Sequence, residues 1–182
     1  MRVVGKLSIG DVLADWAEHE CRGRLVVAGI LPAGYLDQFP PVRRPFEAIN
    51  VLLQTRREPI AAILTARPMD VVRVEVTKDD ITRMRVMGAT PLATYSRDKL
   101  AERDVDGSAN HVRRLAASTE EIAGPFVALA RSADGPITLF DGMHRAAAWV
   151  AHSYGGRDYP LLVDVFITRD PAPAFEQPPG DG

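Results

Sequence analysis

The segment Asp141-Gly142-Met143-His144-Arg145 brings together residue types that hold phosphate. It follows an apolar run over 136–140 and opens a stretch over 142–154 that reads as helix. A strand, a tight turn and a helix start, in that order, aim backbone N–H groups and the positive end of a helix dipole at an anion. Gly142 lets the backbone approach closely. Arg145 can fork onto phosphate oxygens, His144 can donate to one, and Met143 lies between Gly142 and His144 on the same turn. Asp141 can also serve as the cap of the helix it precedes.

A second cluster is Ser108, His111, Arg113 and Arg114. His111 and Arg114 share a helix face at i, i+3. Beside a nucleotide, Ser108, His111 and Arg114 would contact its phosphates or the acceptor; the alternative is a solvated helix face. The other histidines carry less. His152 lies on the 142–154 helix and reads as structural, His19 has no partner pattern, and no histidine spacing suits a metal site. Trp149 reads as core. Arg43-Arg44 and Arg56-Arg57 read as surface pairs.

These groups need elements to position them. Ser8, with Asp11 three residues on, predicts a helix over 8–20. Residues 24–30 (R-L-V-V-A-G-I) predict a short strand, and four prolines make 31–45 a loop. Residues 46–57 predict a helix that Pro59 interrupts, with a short helix following to Ala66. Residues 71–76 alternate apolar and charged side chains, the period of a strand with one wet face. Thr77 and Asp80 have capping-box spacing. Ser96 predicts a cap for a helix over 97–103, and another helix covers 109–118. Residues 125–130 and 136–140 predict two strands joined at Asp134-Gly135, a strong hairpin signal. Gly155-Gly156 ends the helix from Gly142, and 161–167 is the last strand.

Composition bounds the function classes. The chain has 182 residues, 46% hydrophobic and 25% charged, the profile of an ordinary globular protein. A net charge of -2 argues against a dedicated nucleic-acid binder. A single cysteine, Cys21, excludes an internal disulfide framework and leads us to expect a reducing, cytoplasmic setting. No apolar run approaches the ~18 residues of a membrane span, and the first residues lack the apolar core of a signal peptide. The expected division is a mainly helical accessory segment over 1–68, an α/β domain over 69–168 and a disordered Pro-rich tail over 169–182.

Residues 70–168 resemble the ParB/sulfiredoxin superfamily. Three features carry the resemblance in order: the strand and polar turn over 71–80; the helix end Leu115-Ala116-Ala117-Ser118 leading to the strand from Pro125; and the hairpin into Asp141-Gly142-Met143-His144-Arg145. The resemblance implies a small mixed sheet with flanking helices that binds a nucleotide. Sulfiredoxins place a cysteine immediately before the His-Arg pair; here that position is Met143. Partitioning proteins follow the domain with a helix-turn-helix, for which the Pro-rich tail leaves no room.

The layout is closest to the branch of kinases that phosphorylate free serine. By that likeness Asp141 holds Mg²⁺ or takes the acceptor's hydroxyl proton. Asp80, and less so Asp79, orients an acceptor hydroxyl or binds its amine. The expected catalytic residues are thus Asp141, Asp80 and His144. The expected nucleotide contacts are Gly142, Met143, His144, Arg145, Ser108, His111 and Arg114. The expected cofactors are ATP or ADP, with CTP as the alternative, and Mg²⁺. The expected activity is phosphoryl transfer to a small hydroxylated metabolite. A non-enzymatic nucleotide-responsive regulator and a ParB-like DNA-binding protein or nuclease are the alternatives. The partners are a nucleotide and a small acceptor, with a homodimer allowed and neither nucleic acid nor membrane expected.

Overall fold

A computed structural model describes residues 1–87, 89–105, 107–154 and 159–169. The fold is the expected mixed α/β arrangement. In chain order its strands are β1 (Arg2–Leu7), β2 (Asp70–Val76), β3 (Met84–Val86), β4 (Val127–Ala130), β5 (Ile137–Asp141) and β6 (Leu161–Ile167). They form one six-stranded sheet in the order β1-β2-β6-β4-β5-β3. β6 runs parallel to β4 and β3 parallel to β5, while the other neighbours are antiparallel. The helices are α1 (Ile9–Glu20), α2 (Arg44–Thr55), α3 (Arg57–Ala66), α4 (Leu92–Ala101), α5 (Ser108–Ala117) and α6 (Met143–Tyr154).

The sheet separates two apolar layers. On one face, Leu92 of α4, Val112 of α5 and residues 146–150 of α6 pack against Val74, Val76, Leu139, Val163 and Val165. α6 is buried at Ala146, Ala147, Ala148, Trp149 and Val150, and its small residues let α4 approach. The Ser96 hydroxyl donates to the Ala147 carbonyl at 2.6 Å. On the other face, Trp16, Leu52, Ile60 and Ile63 from α1, α2 and α3 cover Val71, Val127, Leu129, Phe140 and Phe166. The alternating strand over 71–76 therefore has a second face that is only partly wet. Val71 is covered by helices, Arg73 pairs with Asp164, and Glu75 accepts from Arg2.

Several local expectations change. Residues 24–30 form no strand: Cys21–Leu25 is a π-helical continuation of α1, followed by turns. The run has no strand beside it to complete a ladder, and Val27 and Ile30 stay exposed. Ser96 is not a cap, because α4 already starts at Leu92 after Pro91. Pro59 lies in the first turn of α3, where a missing N–H breaks no helical bond. The mainly helical segment 1–68 also holds β1, which pairs along β2. Gly155-Gly156 and nearly all of the expected tail lie outside the described residues. Among the described residues no helix is long and apolar enough to cross a membrane.

The contacts across the second face make a direct prediction. A chain lacking residues 1–68 exposes Val71, Val127, Leu129, Phe140 and Phe166 together. It is expected to bind a hydrophobic dye and to lose its cooperative urea transition, read by circular dichroism. Within the full chain, Leu52→Ala is expected to cost about 2–5 kcal/mol in the same titration.

Candidate functional site

β5 ends at Asp141 and α6 begins at Met143, so a single residue must turn the chain. Gly142 does so at φ +78°. A Cβ there would lie 2.6 Å from Phe126 Cδ1 and 3.1 Å from the Pro125 carbonyl oxygen. Both the backbone angle and the close approach therefore require glycine. The Gly142 carbonyl accepts from the Ala146 N–H at 2.8 Å, which starts the helical ladder. The N–H groups of the first turn have no acceptor within the helix.

This helix head opens into a cleft of about 1020 Å³. Several parts of the chain wall it, among them Met87 and the end of β5. Gly142 comes from the turn before α6, Met143, His144 and Arg145 from its first turn, and His19 and Glu20 from the end of α1. Residues 56–59 come from the α2–α3 join, and Gly107, Ser108 and His111 from the head of α5. The N-terminal ends of α3, α5 and α6 therefore border one space, although at α5 the Asp104 carboxylate already accepts from the Ala109 and Asn110 N–H groups.

Asp141 lies at the floor, 6% exposed. The Trp16 indole N–H donates to its Oδ2 at 3.0 Å. Arg56 Nη2 stands 3.3 Å from its Oδ1, and Arg145 Nη2 stands 3.6 Å from its Oδ2. Arg56 Nη2 is also 2.9 Å from Glu20 Oε1. Arg145 is held further by donating to the Pro125 carbonyl at 2.7 Å and the Ala123 carbonyl at 3.4 Å. Its guanidinium lies over the Phe126 ring, 5.3 Å from the centroid.

Arg56, Arg57 and Arg145 line the cleft together with the carboxylates of Glu20, Glu58 and Asp141. Desolvation lowers the His19 pKa, the nearby Arg145, Arg56 and Arg22 lower it further, and Asp141 opposes them. Desolvation likewise lowers His111, helped by Arg114 and Arg145. Burial also lowers Arg145, with Asp141 and Glu20 opposing and Arg56 adding to the effect. Burial is the largest cause for all three groups, and neighbouring guanidiniums add to it. The imidazoles of His19 and His111 are thus held toward the neutral form.

The expected site residues divide between the cleft and elsewhere. Asp141, Gly142, Met143, His144, Arg145, Ser108 and His111 all line it. His144 stacks near Tyr95, with ring centroids 6.0 Å apart. Ser108 accepts from Lys99 at 3.1 Å. Arg114 does not line the cleft; its Nη2 lies 3.2 Å from His111 Nδ1 and braces that ring.

Asp80 is not brought to the cleft. Register carries Asp141 across Val127 and Asp164 to Arg73, three strands away, and Asp80 lies beyond the end of β2. It closes a capping box with Thr77 and accepts from the Met1 ammonium. Burial works to raise its pKa, and the hydrogen bonds from Met1 and Thr77 outweigh that and leave it lowered. Asp79 is exposed on the same turn.

Trp16, His19, Glu20 and Arg56 were not expected at the site. Arg56 was visible in the sequence only as half of a basic pair at a helix break. Among the described residues no group of three His, Cys, Asp or Glu side chains is placed to hold a metal ion. Both Asp141 oxygens already face guanidinium or indole donors, so its surroundings do not suit a protein-held Mg²⁺. Compared with known proteins, the chain matches no family model, no curated protein and no solved structure.

Gly142→Ala is expected to destabilise the protein by roughly 2–4 kcal/mol, combining the left-handed backbone cost with overpacking. Trp16→Phe leaves a buried carboxylate short of one donor and is expected to cost about 1–3 kcal/mol. Urea titration measures both. Acid sensitivity follows from His19 and His111. Their folded pKa values lie below the unfolded value, so the unfolded chain binds protons first as pH falls. Their contribution is complete above about pH 6.5 and is lost as pH drops toward the folded values. Tm measured from pH 8 to pH 5 is expected to fall, and to fall less in a His19→Gln, His111→Gln double variant.

Proposed function

We propose that the cleft binds the phosphates of a purine nucleotide, ATP or ADP, and that the protein transfers the terminal phosphoryl group to a small hydroxylated metabolite such as an amino acid. The observation that carries the reading is the convergence of the heads of α3 and α6 with Arg56 and Arg145 on one cleft. Backbone amides and guanidiniums of this kind stabilise the charge on a transferring phosphoryl group, and positioning supplies much of the remaining rate. The volume of about 1020 Å³ admits a nucleotide and a small acceptor together. The resemblance of residues 70–168 to the ParB/sulfiredoxin superfamily supports the same reading.

The chemistry needs a proton acceptor near the acceptor hydroxyl. His19 supplies a neutral imidazole on the cleft wall, whereas His111 Nδ1 already accepts from the Arg114 guanidinium and leaves that ring no free nitrogen. As the acceptor oxygen bonds to phosphorus and the nucleotide's bridging P–O bond breaks, the hydroxyl proton passes to the His19 imidazole. Asp141, engaged on both oxygens, positions Arg56 and Arg145. Magnesium, which binds through substrate phosphates in such reactions, enters with the nucleotide.

One observation favours a second reading, in which the nucleotide binds and is not turned over. The only carboxylate on the cleft floor that the sequence points to, Asp141, is saturated by Trp16, Arg56 and Arg145.

At one hundred times Kd, ATP or ADP with Mg²⁺ is expected to stabilise the fold by about 2.7 kcal/mol, raising Tm by roughly 5–10 °C. Phosphorus NMR of the same mixture with a panel of hydroxylated metabolites then separates the readings. A phosphorylated acceptor supports transfer; stabilisation with intact nucleotide supports binding alone; no stabilisation by any nucleotide overturns both. Sulfate provides a further check, since its charge is constant over the range used. A bound anion raises the imidazole pKa values that the cleft lowers, so binding takes up protons. Sulfate affinity is expected to tighten from pH 8 to pH 6 by calorimetry.

A further inference from the structure

Arg56 stands at the join of α2 and α3, in the helical layer on the far side of the sheet from α6. Its Nη2 serves two carboxylates from two different elements, Glu20 at 2.9 Å and Asp141 at 3.3 Å. Its Nε is buried and makes no hydrogen bond. A guanidinium carries five N–H donors in a planar fork, and burying one without an acceptor is unfavourable. The exposed arginines of this layer behave otherwise. Arg22 with Glu18 and Arg43 with Glu47 are helix-surface pairs at i, i+4 with mostly solvated guanidiniums.

Arg145 approaches the other oxygen of Asp141. Two guanidiniums therefore bracket a single carboxylate, and phosphoryl oxygens can fill such a separation. The two arginines are not equivalent. Arg145 is pinned by the Ala123 and Pro125 carbonyls. The ion pairs of Arg56 are all to carboxylates. Asp141 keeps Trp16 and Arg145 if Arg56 turns to a ligand.

We propose that Arg56 forms a second anion subsite of this cleft, which selects ligands carrying a chain of phosphates, a nucleoside di- or triphosphate, over monophosphates. The inference rests on the phosphate-binding reading of the cleft. Arg145 and the head of α6 take one phosphate. Arg56, coming from the opposite helical layer, takes the next. The residues over 1–68 then complete the ligand site as well as covering the sheet.

Calorimetric titration of the full-length wild type, Arg56→Gln and Arg56→Lys with AMP, ADP and ATP tests this. Arg56→Gln removes the charge and the fork, and is expected to weaken ADP and ATP by about tenfold while AMP changes less than about twofold. Arg56→Lys keeps the charge opposite Glu20 and Asp141, so it guards against a folding defect. It lacks the fork and is expected to lose about threefold on ATP relative to AMP. An unchanged ATP-to-AMP affinity ratio in Arg56→Lys, or equal losses on all three ligands in Arg56→Gln, overturns the subsite. Nucleotide binding by wild type with unaltered binding by both variants also overturns it and leaves the phosphate reading standing. A wild type that binds no nucleotide removes both.

Discussion

A carboxylate withdrawn from water at the end of a central strand is the constraint on which the rest depends. Asp141 is 6% exposed, and its burial is tolerable because donors reach it from α1, from the α2–α3 join and from α6. Breaking such a set leaves an uncompensated buried charge, whereas a well-packed apolar replacement can be neutral or stabilising. The set is therefore better understood as a specifier of geometry than as a source of stability. It ties two helical layers to one point on the sheet and fixes where two guanidiniums stand. Trp16, fully buried, joins that polar point to the apolar layer of α1, α2 and α3.

Gly142 sets the second half of the geometry. A strand end packed on Pro125 and Phe126 leaves no room for a side chain, so the turn into α6 is short and its head lies beside Asp141. Ligands in sheet proteins gather beyond the carboxyl ends of strands, and this cleft lies beyond the end of β5. His19, His111 and Arg145 each hold their protons less well than usual there, chiefly because they are withdrawn from water and partly because guanidiniums stand near them. An anion placed beside these groups would favour their charged forms.

What the sequence shows and hides follows from range. The D-G-x-H-R turn, the hairpin at Asp134-Gly135 and the Thr77–Asp80 capping box are local devices, set by neighbours within a few residues, and each is legible. The alternation in β2 is legible too, although it does not show that Val71 is covered by a second helical layer. β1 is an edge strand with a register shift between Val3 and Gly5, which blurs its period. The run over 24–30 has strand composition and no strand to pair with, and pairing decides. Trp16 reaches Asp141 across 125 residues, and no periodicity reports a contact of that separation. The same holds for Arg56, which looks like any surface arginine until the chain closes around it.

The identity of the proton acceptor is where geometry argues most usefully with the sequence. A carboxylate beside a phosphate turn invites a catalytic role, and Asp141 has the right neighbours in the chain. A base must first be free to receive a proton, however, and hydrogen-bond reach comes before acidity. Both Asp141 oxygens face cations or an indole N–H, so neither is open to an acceptor hydroxyl. The imidazoles face the opposite pressure. Burial first, and nearby guanidiniums such as Arg145 second, hold His19 and His111 toward the neutral form. Under the phosphoryl-transfer proposal the two roles therefore separate, the carboxylate holding the clamps and His19 accepting the proton.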